Sequence, residues 1–239
     1  MNGRIQRPEN LNGLELPEAG RLHIDKKQIG QNGKEYPVSV DWFIPSGKYA
    51  AMFTAALGEQ PQTIQIIFPD DDPAKVCNEM YTYRDNAGAL VARGDGIDFE
   101  VWNGQKYVPV SAEKYPDIMK TICEKYPTRR GADNWDIELT MRFIIPAVRG
   151  IIGVWIFRTK GRASSIKNIR NSFDGVQRMR GSVTTSVFDL SVQFAKSNKP
   201  NQNSRYPVVS LVANDTAIEE IRQAIAQKDN LSLLLPEKK

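Results

Sequence analysis

Apolar and polar positions alternate along "YPVSVDWFI" (Tyr36 to Ile44), with β-branched residues among them, which predicts a strand. Pro45, Ser46 and Gly47 break it. The alanine-rich "KYAAMFTAAL" that follows predicts a helix closed by Gly58, and "QTIQIIF" (Gln62 to Phe68) predicts a second strand. Between Pro69 and Trp135 the elements become small. "YTYRDNAGALVARGDG" predicts a hairpin turning at Asp85 to Gly88, and "FEVWNGQKYVPV" a second one turning at Asn103-Gly104. "KYPDIMKTICEKY" has the spacing of an amphipathic helix.

From Trp135 the alternation returns in "DIELTMRFII" and "IIGVWIF", two strands joined across Pro146 to Gly150. A helix from Ser165 to Arg180 carries Ile166, Ile169, Phe173 and Val176 at spacings of three, four and three, which is one buried stripe. "SVFDLSVQF" and "YPVVSLVA" are further strands, and "TAIEEIRQAIAQ", capped by Asp215, is a final helix. This order predicts an α+β fold with a ferredoxin-like or RRM-like core, opened by a split β-α-β unit. The expected parts are an N-terminal arm over 1–20, a core over 21–68 and 135–228, an inserted hairpin and helix subdomain over 69–134, and a tail over 229–239.

Composition changes this picture little: 41% hydrophobic and 25% charged residues in 239 describe an ordinary globular chain. The longest apolar run, Phe143 to Phe157, is broken by Pro146, Arg149 and Gly150, so no membrane partner is expected. Cys77 and Cys123 lie far apart and His23 is the only histidine, which excludes a zinc finger or a Cys–His–Asp cluster. Few thiols and a polar N-terminus fit a protein of the reducing cytoplasm. No cofactor and no metal are expected.

Charge changes it more. Arg149, Arg158, Lys160, Arg162, Lys167, Arg170, Arg178 and Arg180 fall within 32 residues that hold a single acid, Asp174. The chain has 32 basic and 28 acidic residues; without that stretch 24 and 27 remain, and net charge moves from +4 to −3. The positive charge is therefore local, which points to an anionic partner. Gly161 permits close backbone approach, Ser164 and Ser165 can donate to a phosphate oxygen, and a helix start at Ser165 offers free N–H groups and a positive dipole end. The expected site is a sugar-phosphate backbone lying across that helix start, with all eleven of these residues as its nucleic-acid contacts. The alternative is a solvated helix with serine caps.

Three aspartates, Asp70, Asp71 and Asp72, follow a strand, and Asp95, Asp98 and Glu100 lie further on; together they are candidate ligands of a metal-dependent nuclease. The competing reading, which we prefer, is an Asx turn and helix N-cap with Pro73 in the first turn, and a tight turn at Gly94-Asp95-Gly96. His23 has no nucleophile or orienting partner. Trp42, Trp102, Trp135 and Trp155 all lie in or beside strands, and core packing is expected for at least three of them. We therefore expect no enzymatic activity.

"GRLHIDKK", "YPVSVDWFI", "TIQIIFPDDDP", "GDG", "GVWIFRTKGRASSIKNI" and "FDLSVQFA", in that order between Gly20 and Val212, resemble the phage recombination directionality factors that bind large serine integrases and turn integration into excision. Many of those relatives carry several cysteines in the middle region that read as a metal site, where this chain has only Cys77 and Cys123. The resemblance implies a non-enzymatic protein that meets an integrase on DNA. In architecture the chain also resembles the RAMP-superfamily backbone subunits of CRISPR-type effector complexes, which would imply copies of itself polymerised along a guide RNA.

Overall fold

A computed structural model describes residues 16–30, 33–128, 135–197, 204–214 and 216. Eleven strands and four α-helices run in the order β1 (Glu18–Ile29), β2 (Glu35–Ser46), α1 (Ala50–Leu57), β3 (Thr63–Ile66), α2 (Pro73–Val76), β4 (Cys77–Arg84), β5 (Leu90–Gly94), β6 (Asp98–Trp102), β7 (Tyr107–Ser111), α3 (Ile118–Lys125), β8 (Asp136–Phe143), β9 (Val154–Thr159), α4 (Lys167–Arg180), β10 (Phe188–Lys196) and β11 (Arg205–Ala213). A single π-helical turn, Arg162–Ile166, leads directly into α4. Eight strands form one sheet in the order β2-β1-β9-β8-β4-β5-β6-β7, and three form another, β11-β10-β3. All neighbours are antiparallel except β1 and β9.

The fold is α+β, but the strands assigned to a ferredoxin-like or RRM-like core are divided between two sheets. The split β-α-β unit is corrected with it: β2 lies in the large sheet and β3 in the small one, so α1 does not connect parallel neighbours. Chain pattern identified most elements, β1 apart, and left the choice of neighbour open. Residues 69–134, expected as an inserted subdomain, continue the large sheet by four strands, because β4 pairs with β8 from Cys77↔Met141 to Thr82↔Asp136. The expected tail, the Asp215 cap and, Thr216 apart, the helix over Thr216–Gln227 lie outside the described residues, as do residues 1–15 of the arm.

The two sheets enclose one main core. Leu139, Met141, Phe143, Trp155 and Phe157 point inward from the large sheet, Ile64, Ile66, Leu190, Val209 and Leu211 from the small one, and the α4 stripe of Ile169, Phe173 and Val176 closes the side. Phe68 stacks edge-on against Phe173 and Phe188, with ring centroids 5.0 and 5.2 Å away. Gly20 lets β1 into its place: a Cβ there would stand 2.6 Å from the Trp155 ring and 2.7 Å from the Ser46 carbonyl. A second, smaller cluster of Tyr83, Val91, Ala92 and Ile122 fills the far end, with Trp135 against Tyr83 and Phe99.

Core packing, expected for at least three tryptophans, is seen for two. Trp155 is fully buried, and Trp135 packs in the small cluster with its Nε1 donating to the Met119 carbonyl. Trp102 stacks on Tyr107, while Trp42 lies under the Lys26 ammonium.

Candidate nucleic-acid interface

The basic stretch starts in the loop between β8 and β9, crosses β9 and runs down the helix, so it visits different surfaces. Arg149 is exposed in the loop before β9. Arg158 lies on β9, opposite Thr140 of β8, on the large-sheet face that turns away from the core. It is 3.9 Å from Glu138, away from the helix start where the sequence grouped it. Lys160 leaves the end of β9 and is held by Asp136 at 2.6 Å.

At the junction itself the expected phosphate cradle changes shape. The helix begins one turn earlier than Ser165, at a π-helical turn whose N-cap is Gly161, with no side-chain cap. The Gly161 N–H donates to Thr159 Oγ1, and Ile166 N–H returns to the Gly161 carbonyl. A Cβ at Gly161 would stand 3.2 Å from Ser165 Oγ, so the glycine makes room for a protein hydroxyl. Ser165 is 1% exposed, and its Oγ accepts the Val209 N–H at 3.0 Å, tying the helix start to β11. That removes Ser165 from any surface role and corrects its place in the cradle. A serine in the first turn signals a hydrogen bond; whether it is made to a ligand or to a neighbouring strand depends on tertiary packing.

Arg170 is also engaged: its guanidinium donates to the Cys77 carbonyl at 3.3 Å and lies 3.6 Å from Asp174. Arg180 donates to Ser186 Oγ at 3.1 Å. Exposed on the turn and helix remain Arg162, Lys167 and Arg178, with Ser164 half-buried beside them. Lys167 and Arg178 fall on one ridge of α4, with Asn171 and Asp174 between them at helical spacing. A backbone running along this ridge meets cations at its ends and one acid, already paired to Arg170, in the middle.

The acids proposed as metal ligands are used structurally. Asp70 accepts the Asp72 N–H and then Lys75 Nζ, both at 2.9 Å, and these bonds hold its carboxyl below the ordinary aspartate range. Asp71 receives Val183 N–H at 2.6 Å, Thr184 N–H at 3.2 Å and Ser182 Oγ at 2.9 Å, joining the loop after β3 to the loop after α4. Asp72 caps α2 through Ala74 N–H, with Pro73 at the first helical position. Asp95 accepts the Asp98 and Ile97 N–H groups in a tight turn, which lower its pKa. His23 Nε2 lies 2.8 Å from Ser46 Oγ. Burial pushes the Cys77 thiol up to about 11, so it is a neutral core group.

The sequence missed a second charged surface. Asp136, Glu138, Thr140 and Arg142 alternate with the inward residues of β8, and Asn78, Met80, Thr82 and Arg84 do so on β4. They cover the outer face of the large sheet together with Arg158 and Arg93. The period-two pattern in "DIELTMRF" marks which residues share a face, but strand order decides that β9, β8, β4 and β5 bring their arginines side by side.

Residues 19–214 match the family model of the Gp3-like, recombination directionality factor-like proteins. No curated protein and no solved structure matches the chain.

Proposed function

This chain belongs to the Gp3-like, recombination directionality factor-like family, and on that premise we propose that it acts without chemistry of its own, binding a large serine integrase on DNA and turning integration into excision. The observation that carries this reading is the extent of the match, which covers the large sheet from β1, the small sheet and α4. The involvement of Asp70, Asp71, Asp72 and Asp95 in turns and caps supports a non-enzymatic role.

DNA would be held through its backbone by Arg162, Lys167 and Arg178, with Ser164 and Lys160 at the edge of that surface. Contacts of this kind position a protein without reading sequence, so binding should be salt-sensitive and tolerant of base order. The test is recombination in vitro with the cognate integrase and paired attachment sites. Addition of this protein is expected to start excision and suppress integration. An integrase whose two reactions run unchanged at saturating protein would overturn the reading.

A further inference from the structure

The outer face of the large sheet carries a groove that crosses the strands. At one end is a depression of about 200 Å³ lined by Arg84, Arg93, Arg142, Arg158, Glu138 and Met80 among others. A second, of about 480 Å³, shares Met80 and Arg93 and continues past Glu100 and Pro109 on β6 and β7. The first end is cationic. The guanidinium groups of Arg84 and Arg158 flank the carboxylate of Glu138, which is only 9% exposed, and Arg142 lines the same depression. Arg84 is 3.4 Å and Arg158 3.9 Å from it, both loose for charge-assisted bonds. Arg142 donates to the Lys75 carbonyl at 3.3 Å, and it and Arg158 attract Glu18 only at longer range, the Glu18 carboxylate being bonded to Arg21. Arg93 is balanced by Glu100, and Arg21 by Glu18. The end therefore holds two positive charges in excess, around a carboxylate that only partly engages them. The other end has Met80 and Pro109 in its wall and is rimmed by Asp95, Asp98 and Glu100, while the Phe99 ring turns to the opposite face against Trp135.

We propose that this groove binds an extended acidic peptide segment of a partner protein, with its carboxylates among Arg84, Arg142 and Arg158 and apolar side chains over Met80 and Pro109. Arginine forks match carboxylates bidentately, and arginine and methionine are enriched in protein interfaces. A DNA duplex fits less well: phosphates that followed the groove past Met80 would run into Asp95, Asp98 and Glu100. Glu138 acts as an internal competitor, standing where a guest carboxylate would bind. The inference goes beyond the family reading and fails or holds separately from it, since excision is not its readout.

The test uses the full chain and three labelled probes: a peptide in which a run of glutamates precedes alternating leucine and serine, the same peptide with glutamines for glutamates, and a random DNA duplex. Fluorescence anisotropy should show the glutamate peptide bound and the glutamine peptide bound at least about tenfold more weakly. Arg142→Gln with Arg158→Gln should weaken the glutamate peptide by a similar factor and leave duplex affinity unchanged. Glu138→Gln, nearly isosteric, should tighten the glutamate peptide, a gain that a merely structural glutamate would not give. Melting curves confirm that each variant is folded. The proposal is overturned if the glutamate peptide binds none of the folded proteins, if the double variant binds it as the parent does, if Glu138→Gln fails to tighten it, or if the double variant loses the duplex instead.

Discussion

The α4 surface and the outer face of the large sheet both gather cations, yet they balance them differently. On the helix side Arg170 and Arg180 bond neighbouring elements of the fold, and Arg162, Lys167 and Arg178 are exposed outside those bonds, with one acid, Asp174, nearby. On the sheet side Arg21 and Arg93 each have a glutamate, Arg84 and Arg158 share Glu138, and Met80 lies among them. A surface of nearly unbalanced charge suits a polyanion whose charges repeat. A surface where carboxylates already stand among the arginines, leaving a smaller excess, suits another protein, whose side chains can replace those carboxylates one at a time. Net charge alone does not separate the two cases; the acids do.

The sharpest way to separate the helix's framework from its surface is to remove parts of each. Phe173→Ala should cost about 3–5 kcal/mol in urea or thermal unfolding, because the ring meets Phe68 in the main core. Lys167→Ala and Arg178→Ala should each stay within about 0.5 kcal/mol in the same measurement. If those lysine and arginine changes unfold the protein, the ridge is framework and the contrast with the sheet face collapses. Asp71→Ala comes next, at about 1–3 kcal/mol, since it strands the Val183 amide and removes the acceptor of Ser182 Oγ. Asp70 and Asp72 changes should cost less, their bonds being exposed and local.

Replacing Arg162, Lys167 and Arg178 together by Gln should lower the log–log salt slope of duplex binding by about two to three, if each cation neutralises one phosphate. An unchanged slope would take DNA off the helix surface. The smallest effect is acidic. The Arg21 hydrogen bond, with further attraction from Arg158 and Arg142, holds Glu18 below the ordinary glutamate range. A carboxyl lowered in the folded state stabilises above its unfolded pKa and loses that contribution as pH falls through the folded value. Stability should therefore decline as pH drops below about 4, and more shallowly in Arg21→Ala, as urea titrations at stepped pH would record.

Much of the fold was legible in the chain because period and punctuation are local. The alternation in "DIELTMRF", the Asn103-Gly104 turn and the Ile169, Phe173, Val176 stripe each fix an element wherever it sits. What was not legible is which element lies beside which. Nothing in "QTIQIIF" says that β3 joins β10 instead of β2, and a ferredoxin-like order is the expectation such a sequence produces without that knowledge. The candidate site shows the same division. That Lys167 and Arg178 lie exposed on one helix ridge could be read from charge and helical spacing, whereas Ser165 and Arg170 are engaged by β11 and by the Cys77 carbonyl, partners distant in sequence. Arg142 and Glu138 were visible as residues sharing a strand face, but became a site only through three strand neighbours.

The parallel pairing of β1 with β9 sets an order of events for the growing chain. Glu18 meets Val154 and Leu22 meets Phe157, so one edge of the first strand waits for a partner made well over a hundred residues later. Until then the β1–β2 hairpin has an open edge, the kind that pairs with whatever strand comes near. Closure of the main sheet is thus a late, long-range step. It belongs with slow folding on the scale of milliseconds to seconds, and with sensitivity to any stall before β9 emerges.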